Sequence, residues 1–189
     1  MKADAMSGGF ADAPIEAAHG FRAILGALSC PGAIVTVAGA APPPPLSPAA
    51  GLAALVLFDG TTPVCLTGAH DSAAVRDWIG FHTGAPLVGP GQAMFALGDW
   101  VSLQPVTRFA IGTPEYPDRA ATLIVEMDSL DNSGALLRGP GIGGTVRLSL
   151  PDIAAFQANR ALFPLGFDTF LTCGGRLAGV PRSTIVEAG

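Results

Sequence analysis

The stretch LRGPGIGGTVRLSL, residues 137–150, decides between two kinds of α/β fold. Its glycines, Gly139 to Gly144, satisfy the pattern G-x-G-x-x-G. That pattern holds a dinucleotide pyrophosphate only where a helix opens directly after the glycines. Here the next segment is TVRLSL, in which polar and apolar residues alternate with the period of a half-buried strand. The expected acidic residue about 20 positions on is also missing, since only Asp152 lies near Gln157. The pattern therefore predicts a structural turn.

The glycines of this turn are predicted to supply positive φ angles or a close backbone approach, and we assign that role to Gly139, Gly141 and Gly143. No G-K-[ST] sequence accompanies them, which excludes a P-loop. A backbone nest for an anion stays open as an alternative, because Arg138 is adjacent.

On both sides of this turn, helical and strand patterns alternate along the chain. Helices are predicted at residues 17–28 and 49–58, after an N-cap at Asp71, and from an N-cap at Asp152 to residue 162. Strands are predicted at residues 33–38, 63–66, 92–97, 121–127, 145–150, 168–173 and 184–187, with a tight turn at 174–175. Interleaved elements with some hairpins favour a three-layer αβα arrangement around a mixed sheet. We expect a flexible tail at residues 1–13 and a single α/β domain at 14–189.

The composition excludes some classes of protein. Charged residues make up 13% of the 189 residues, hydrophobic residues make up 49%, and the net charge is −5. Such an acidic chain with no basic face is not a nucleic-acid binder. The longest apolar run, residues 49–58, is half the length of a membrane span, and no secretion signal is visible. The low charge content instead predicts a surface buried against another chain.

Cysteine and histidine usage indicates a cytoplasmic protein without a metal site. Cys30, Cys65 and Cys173 are odd in number and lack C-x-x-C spacing, which predicts free, buried thiols in a reducing compartment. His19, His70 and His82 form no metal-ligand pattern and are interpreted as ordinary polar or buried histidines. Spacing does not show whether Asp118, Glu126 and Asp128 converge as paired carboxylates, and we expect them to be solvated.

Five segments, in this order, resemble a known family. They are FRAILGALSCPG (21–32), FHTGAPLV (81–88), GTPEYPDRAATL (112–123), LRGPGI (137–142) and FPLGFDTFLTCGGRLAGVPRST (163–184). Together they resemble the H subunits of the bacterial carbon–phosphorus lyase system for phosphonate use, over residues 14–187. The resemblance implies a synthase subunit that works with partner subunits. Their complex transfers the ribose triphosphate of ATP onto a phosphonate such as methylphosphonate and releases adenine.

The resemblance also implies a homodimer that joins a larger core complex, and a fold like the large domain of pyridoxal-phosphate-dependent transferases. Pyridoxal phosphate needs a lysine for its Schiff base. Lys2, in the predicted tail, is the only lysine of the chain. We therefore expect no cofactor.

The resemblance carries no catalytic residue over to this chain. Four polar residues of the matched segments, Arg22, His82, Asp168 and Arg182, are our candidates for a ligand site or an interface. A guanidinium at Arg182, between two predicted strands, could clamp a phosphate, although a structural salt bridge is the favoured interpretation. Two alternatives stay open: a nucleotide- or anion-binding module, which saturable ATP binding would favour, and a stand-alone small hydrolase, which turnover by the isolated chain would favour.

Overall fold

The computed structural model of the protein describes residues 6–189. The helices are α1 (Ala13–Ser29), α2 (Pro48–Leu57), α3 (Ala73–Thr83), α4 (Trp100–Leu103) and α5 (Ile153–Ala161). The strands are β1 (Ile34–Thr36), β2 (Val64–Leu66), β3 (Phe95–Asp99), β4 (Thr122–Glu126), β5 (Ala135–Arg138), β6 (Val146–Leu148), β7 (Asp168–Cys173), β8 (Arg176–Val180) and β9 (Ile185–Glu187). The helix–strand alternation predicted from the sequence is confirmed in its main features.

A mixed sheet of six strands forms the centre of the molecule, in the order β1-β8-β7-β4-β3-β2. Strands β2, β3, β4 and β7 run parallel to one another, whereas β8 is antiparallel to β7 and β1 is antiparallel to β8. The α/β class with a mixed sheet is therefore confirmed. Because four strands are parallel, their carboxyl ends meet at one edge of the sheet.

Two hydrophobic cores cover the two faces of this sheet. Successive side chains of β4 point to opposite faces of the sheet. Ile124 therefore lies in the core beneath α1, α2 and α3, and Leu123 and Val125 lie in the opposite core. The opposite core is closed by α5 and by a small antiparallel sheet, β6-β5-β9. The second outer layer is thus part sheet and part helix, which differs from the helical layer that an αβα arrangement predicts.

The glycine-rich loop connects β5 to β6 as a hairpin of the small sheet. Positive φ angles occur at Gly139 (135°), Gly141 (80°) and Gly144 (125°), whereas Gly143 has none. A Cβ atom at Gly141 would lie 1.9 Å from the carbonyl oxygen of Ser29, so the loop approaches the end of α1 closely. A helix does not follow the glycines, and the loop lacks the geometry of a dinucleotide site.

Helix α1 lies directly on β8. A Cβ atom at Gly179 would lie 2.7 Å from the carbonyl oxygen of Ala27, so a larger residue there would push the helix off the sheet. Sequence analysis did not predict β8 or β5, because each is short and neither shows clear alternation. It did predict the two-residue turn at Gly174 and Gly175 that joins β7 to β8.

Several local predictions are corrected. Ser72, and not Asp71, caps α3, because its hydroxyl accepts the N–H of Val75. The prediction of three buried thiols holds for Cys65 but not for Cys30, which is exposed, although all three thiols are free. The cap at Asp152 is confirmed.

The division into a tail and a domain stays a prediction, and residues 1–5 lie outside the described part. Just after them, Ser7 accepts the indole N–H of Trp78 at 3.0 Å and Gly8 accepts the N–H of Ala41 at 2.9 Å. No helix in the described range 6–189 is long and apolar enough to cross a membrane.

The two glycines Gly141 and Gly143 should respond in opposite ways to substitution by alanine. Gly141→Ala introduces both backbone strain and a collision with Ser29, and should lower the free energy of unfolding by about 2 kcal/mol or more. Gly143→Ala meets open space at an ordinary φ and should leave stability unchanged or raise it by up to about 1 kcal/mol. Urea denaturation measures both. Equal effects would contradict the assigned geometry.

Candidate functional site

The carboxyl ends of the parallel strands bring polar side chains together inside the protein. Asp99 ends β3, Glu126 ends β4, and Thr172 lies near the end of β7. The register places Glu126 beside Asp99 on one side and beside Thr172 on the other. His70 follows β2 in a short 3-10 turn at the same edge. Ligands of open α/β sheets bind at this edge, which makes these residues a candidate site.

Glu126 is the central residue of this site. Its Oε1 accepts the backbone N–H of Ser47 at 2.7 Å, and its Oε2 accepts the hydroxyl of Thr172 at 3.0 Å. Burial raises the pKa of the Glu126 carboxyl above its ordinary value, and the hydrogen bonds from Ser47 and Thr172 and the charge of His70 only partly offset this effect. A carboxyl with a raised pKa can hold and release a proton closer to neutral pH.

Asp99 has the opposite electrostatic character. Its Oδ1 accepts the N–H of Ser102 at 2.8 Å and so caps α4. That backbone hydrogen bond is the main reason why the pKa of Asp99 is lowered, and His70 adds to the effect. The pKa values of these two neighbouring carboxyl groups are thus displaced in opposite directions. Glu126 is suited to carrying a proton, whereas Asp99 is suited to staying ionised.

His70 is 5% exposed and interacts electrostatically with both carboxyl groups. Within the described residues its Nδ1 atom is buried and has no hydrogen-bond partner. A buried polar atom without a partner is costly, which makes this imidazole a functional candidate rather than the satisfied histidine expected from the sequence.

A cleft of about 510 Å³ opens over Glu126 and Asp99, and its other walls include Trp100 and Asp128. In residues 6–189 no group of three histidine, cysteine or acidic side chains could hold a metal ion. The only lysine lies outside that range, so no described residue could form a Schiff base with a cofactor. The chemistry this arrangement supports is proton transfer by Glu126.

The four residues selected from the sequence do not form one site. Arg22 is on the exposed face of α1, where its Nε donates to the carbonyl of Ala18 at 3.2 Å. His82 is in the last turn of α3, with Nε2 3.2 Å from the carbonyl oxygen of Ser7 and its ring beside Trp78.

Asp168 and Arg182 do meet, at the amino end of β7. Arg182 donates from Nη2 to Asp168 Oδ2 at 2.6 Å and from Nε to Oδ1 at 3.1 Å, and its Nη1 donates to the carbonyl of Pro117 at 2.6 Å. The guanidinium is therefore held by protein groups, which favours a structural ion pair over a phosphate clamp. This pair lies at the opposite edge of the sheet from Glu126.

None of the residues at the carboxyl edge is among the four sequence-predicted candidates, and the sequence gives no indication of Asp99 or Thr172. The sequence predicts a solvated Glu126 and a satisfied His70, whereas the structure partly buries Glu126 and buries His70 without a partner for its Nδ1 atom. The available signal was position: Glu126 comes at the end of a predicted strand, and His70 comes shortly after another. Position alone does not identify a site, because the sequence does not show that these strands run parallel and side by side.

The fold and this edge define an α/β protein whose polar site lies at the carboxyl ends of four parallel strands. Comparison with known proteins gives the family. Residues 8–187 match the family model described as bacterial phosphonate metabolism protein (PhnH), and the chain belongs to this family. It is 40% identical, over 96% of its length and 95% of the relative's, to the alpha-D-ribose 1-methylphosphonate 5-triphosphate synthase subunit PhnH of Rhizobium meliloti (strain 1021). The resemblance to phosphonate-system H subunits is thereby confirmed.

The raised pKa of Glu126 predicts a pH-dependent effect of Glu126→Gln. The folded wild type binds this proton more tightly than the unfolded chain, so its stability falls as the pH rises from the ordinary value of 4.5 to the raised pKa. Glutamine does not titrate. The stability of Glu126→Gln relative to wild type should therefore increase with pH across this window and then level off.

Chemical denaturation at a series of pH values measures this difference. Glu187→Gln is the control, since it makes the same replacement at a glutamate whose side chain is 44% exposed and paired with Arg138 at 3.3 Å. A pH-independent difference for Glu126→Gln would show that Glu126 is not desolvated.

Proposed function

We propose that this chain is a PhnH-type subunit of an α-D-ribose 1-methylphosphonate 5-triphosphate synthase and that it acts only together with partner subunits. The observation that carries the proposal is the 40% identity, over nearly the full length of both chains, to a protein named as that subunit. ATP as a substrate and three free thiols support a cytoplasmic location.

In the proposed reaction an oxygen of methylphosphonate bonds to C1′ of the ribose of ATP. The bond from C1′ to the adenine nitrogen breaks, and adenine leaves with a proton. Glu126 suits that proton transfer, because burial raises its pKa and a cleft opens over it. The likeness of the fold to the large domain of pyridoxal-phosphate-dependent transferases stays a prediction.

We also propose that the chain forms a homodimer through α1. Three large apolar side chains on this helix, Ile15, Phe21 and Leu25, are 51–55% exposed. Arg22 is the charged residue between them. An exposed apolar face of this kind on a chain with 13% charged residues supports burial against a second copy. In this arrangement Arg22 is an interface residue.

Reconstitution with partner subunits tests the synthase proposal. Tagged wild type should co-purify with the other phosphonate-pathway subunits, and the complex should release adenine from ATP only when methylphosphonate and this chain are both present. Glu126→Gln should lower that rate by at least about tenfold, and Glu126→Asp should restore part of it. Full activity without this chain would refute the proposal. Turnover by the isolated chain would instead identify a stand-alone hydrolase.

A charge on the exposed face of α1 should dissociate the homodimer. Leu25→Asp places a carboxylate at the centre of an interface that we expect to exceed about 1,000 Å². The variant should be monomeric by light scattering at micromolar concentration. Leu162→Asp, at a leucine that is 45% exposed beyond the end of α5, is the matched control and should remain dimeric. A monomeric wild type, or a dimeric Leu25→Asp variant, would show that α1 does not form a homodimer interface.

A further inference from the structure

A second cleft, of about 530 Å³, lies beside the outermost parallel strand and contains two arginines. Its floor is the end of β2 and the residues that follow it, and one wall is the segment from Leu87 to Pro90, which continues the sheet beyond β2. The cleft therefore occupies the carboxyl edge of the sheet, next to the site around Glu126. Helix α4 lies between this cleft and the site around Glu126. Asp99 caps the start of α4, and Ser102 of α4 lines the second cleft.

Arg108 brings an uncompensated positive charge into this cleft. Its Nη2 donates to the carbonyl of Ser102 at 2.6 Å, and its guanidinium carbon lies 5.1 Å from the ring centre of Phe109. Its Nε is buried without a hydrogen-bond partner. In the part of the chain that the structure describes, no carboxylate forms an ion pair with Arg108. Such a cation is held in place but not neutralised.

Arg76 supplies the second guanidinium. It pairs with both carboxylate oxygens of Asp71, with Nη2 2.8 Å from Oδ2, and its side chain is half exposed. Thr67 and Ser102 also line the cleft, and their hydroxyl oxygens lie 2.9 Å apart. The cleft thus carries two cations, one anion and two hydroxyl groups, which leaves a net positive charge in a protein of net charge −5.

Cys65 also lines the cleft, but burial raises the pKa of its thiol. The neutral thiol is a poor nucleophile, so the cleft is suited to binding and not to covalent chemistry.

We propose that this cleft binds a tetrahedral oxyanion, a phosphate or phosphonate group, between Arg108 and Arg76. The planar guanidinium forks match such oxygens and can donate more than one hydrogen bond to them. Asp71 is the internal competitor, because it occupies Arg76 until the oxyanion displaces it. The oxyanion chemistry follows from the cleft alone, whereas the choice between a nucleotide and a phosphonate as its source rests on the proposed function.

Calorimetric titration of the full chain with inorganic phosphate, methylphosphonate and ATP tests this inference. At least one of the three should bind saturably. Arg76→Gln should weaken that binding by about tenfold or more, because a charge-assisted contact is lost. Asp71→Asn should strengthen it severalfold, because the competitor is removed. Arg138→Gln is the matched control, since Arg138 is also half exposed and ion-paired, and binding should stay within about twofold of wild type.

A second variant keeps the test independent of folding. Arg108→Lys preserves the charge but not the planar fork, and it should also weaken binding. Absence of saturable binding at millimolar concentrations would overturn the inference. So would equal losses in Arg76→Gln and Arg138→Gln, since these would indicate general charge attraction.

The three probes distinguish the source of the oxyanion, because stronger binding of ATP than of phosphate indicates a nucleotide and stronger binding of methylphosphonate indicates a phosphonate. Failure here is also distinct from failure of the proposed function. Normal co-purification and adenine release by a chain that binds no oxyanion would refute only the proposal that the cleft binds an oxyanion. Oxyanion binding by a chain that joins no complex would refute only the synthase role.

Discussion

The partly buried carboxyl of Glu126 joins three elements at the carboxyl ends of the central sheet. It accepts hydrogen bonds from Ser47, at the start of α2, and from Thr172 on β7, although Glu126 itself ends β4. One side chain therefore connects a helix start to the ends of two parallel strands. Because a buried carboxyl needs its partners, these three elements are fixed relative to one another, and the polar edge of the sheet keeps its shape.

Four of the five segments that carry the family resemblance contact one another in pairs. The end of α1 and the glycine-rich hairpin meet where Gly141 approaches Ser29. The segment around Pro117 and the strand ends around Asp168 meet through Arg182. Close packing and a satisfied ion pair restrict the residue types at such positions. These contacts of the matched segments hold the fold together, whereas His70, Asp99 and Glu126 lie outside the matched segments.

The carboxyl edge offers two environments of opposite charge within a short distance along the sheet. Glu126 and Asp99 line one cleft, Arg108 and Arg76 line the other, and the single turn of α4 lies between them. The carboxylate of Asp99 accepts a hydrogen bond from the N–H of Ser102, and the carbonyl of Ser102 accepts a hydrogen bond from Arg108. Two hydrogen bonds to Ser102 therefore connect Asp99 on one side of α4 with Arg108 on the other.

The sequence by itself determined the alternation of helices and strands, the structural turn at residues 139–144, and the lack of any lysine after Lys2. These features depend on local periodicity, backbone freedom and composition. The sequence did not determine that β8 lies between β7 and β1, or that His70, Asp99 and Glu126 converge. Strand order and strand direction arise from contacts between residues far apart in the chain. Burial, and with it the raised pKa of Glu126, exists only once those contacts have formed, so the tertiary structure alone decided where the site is.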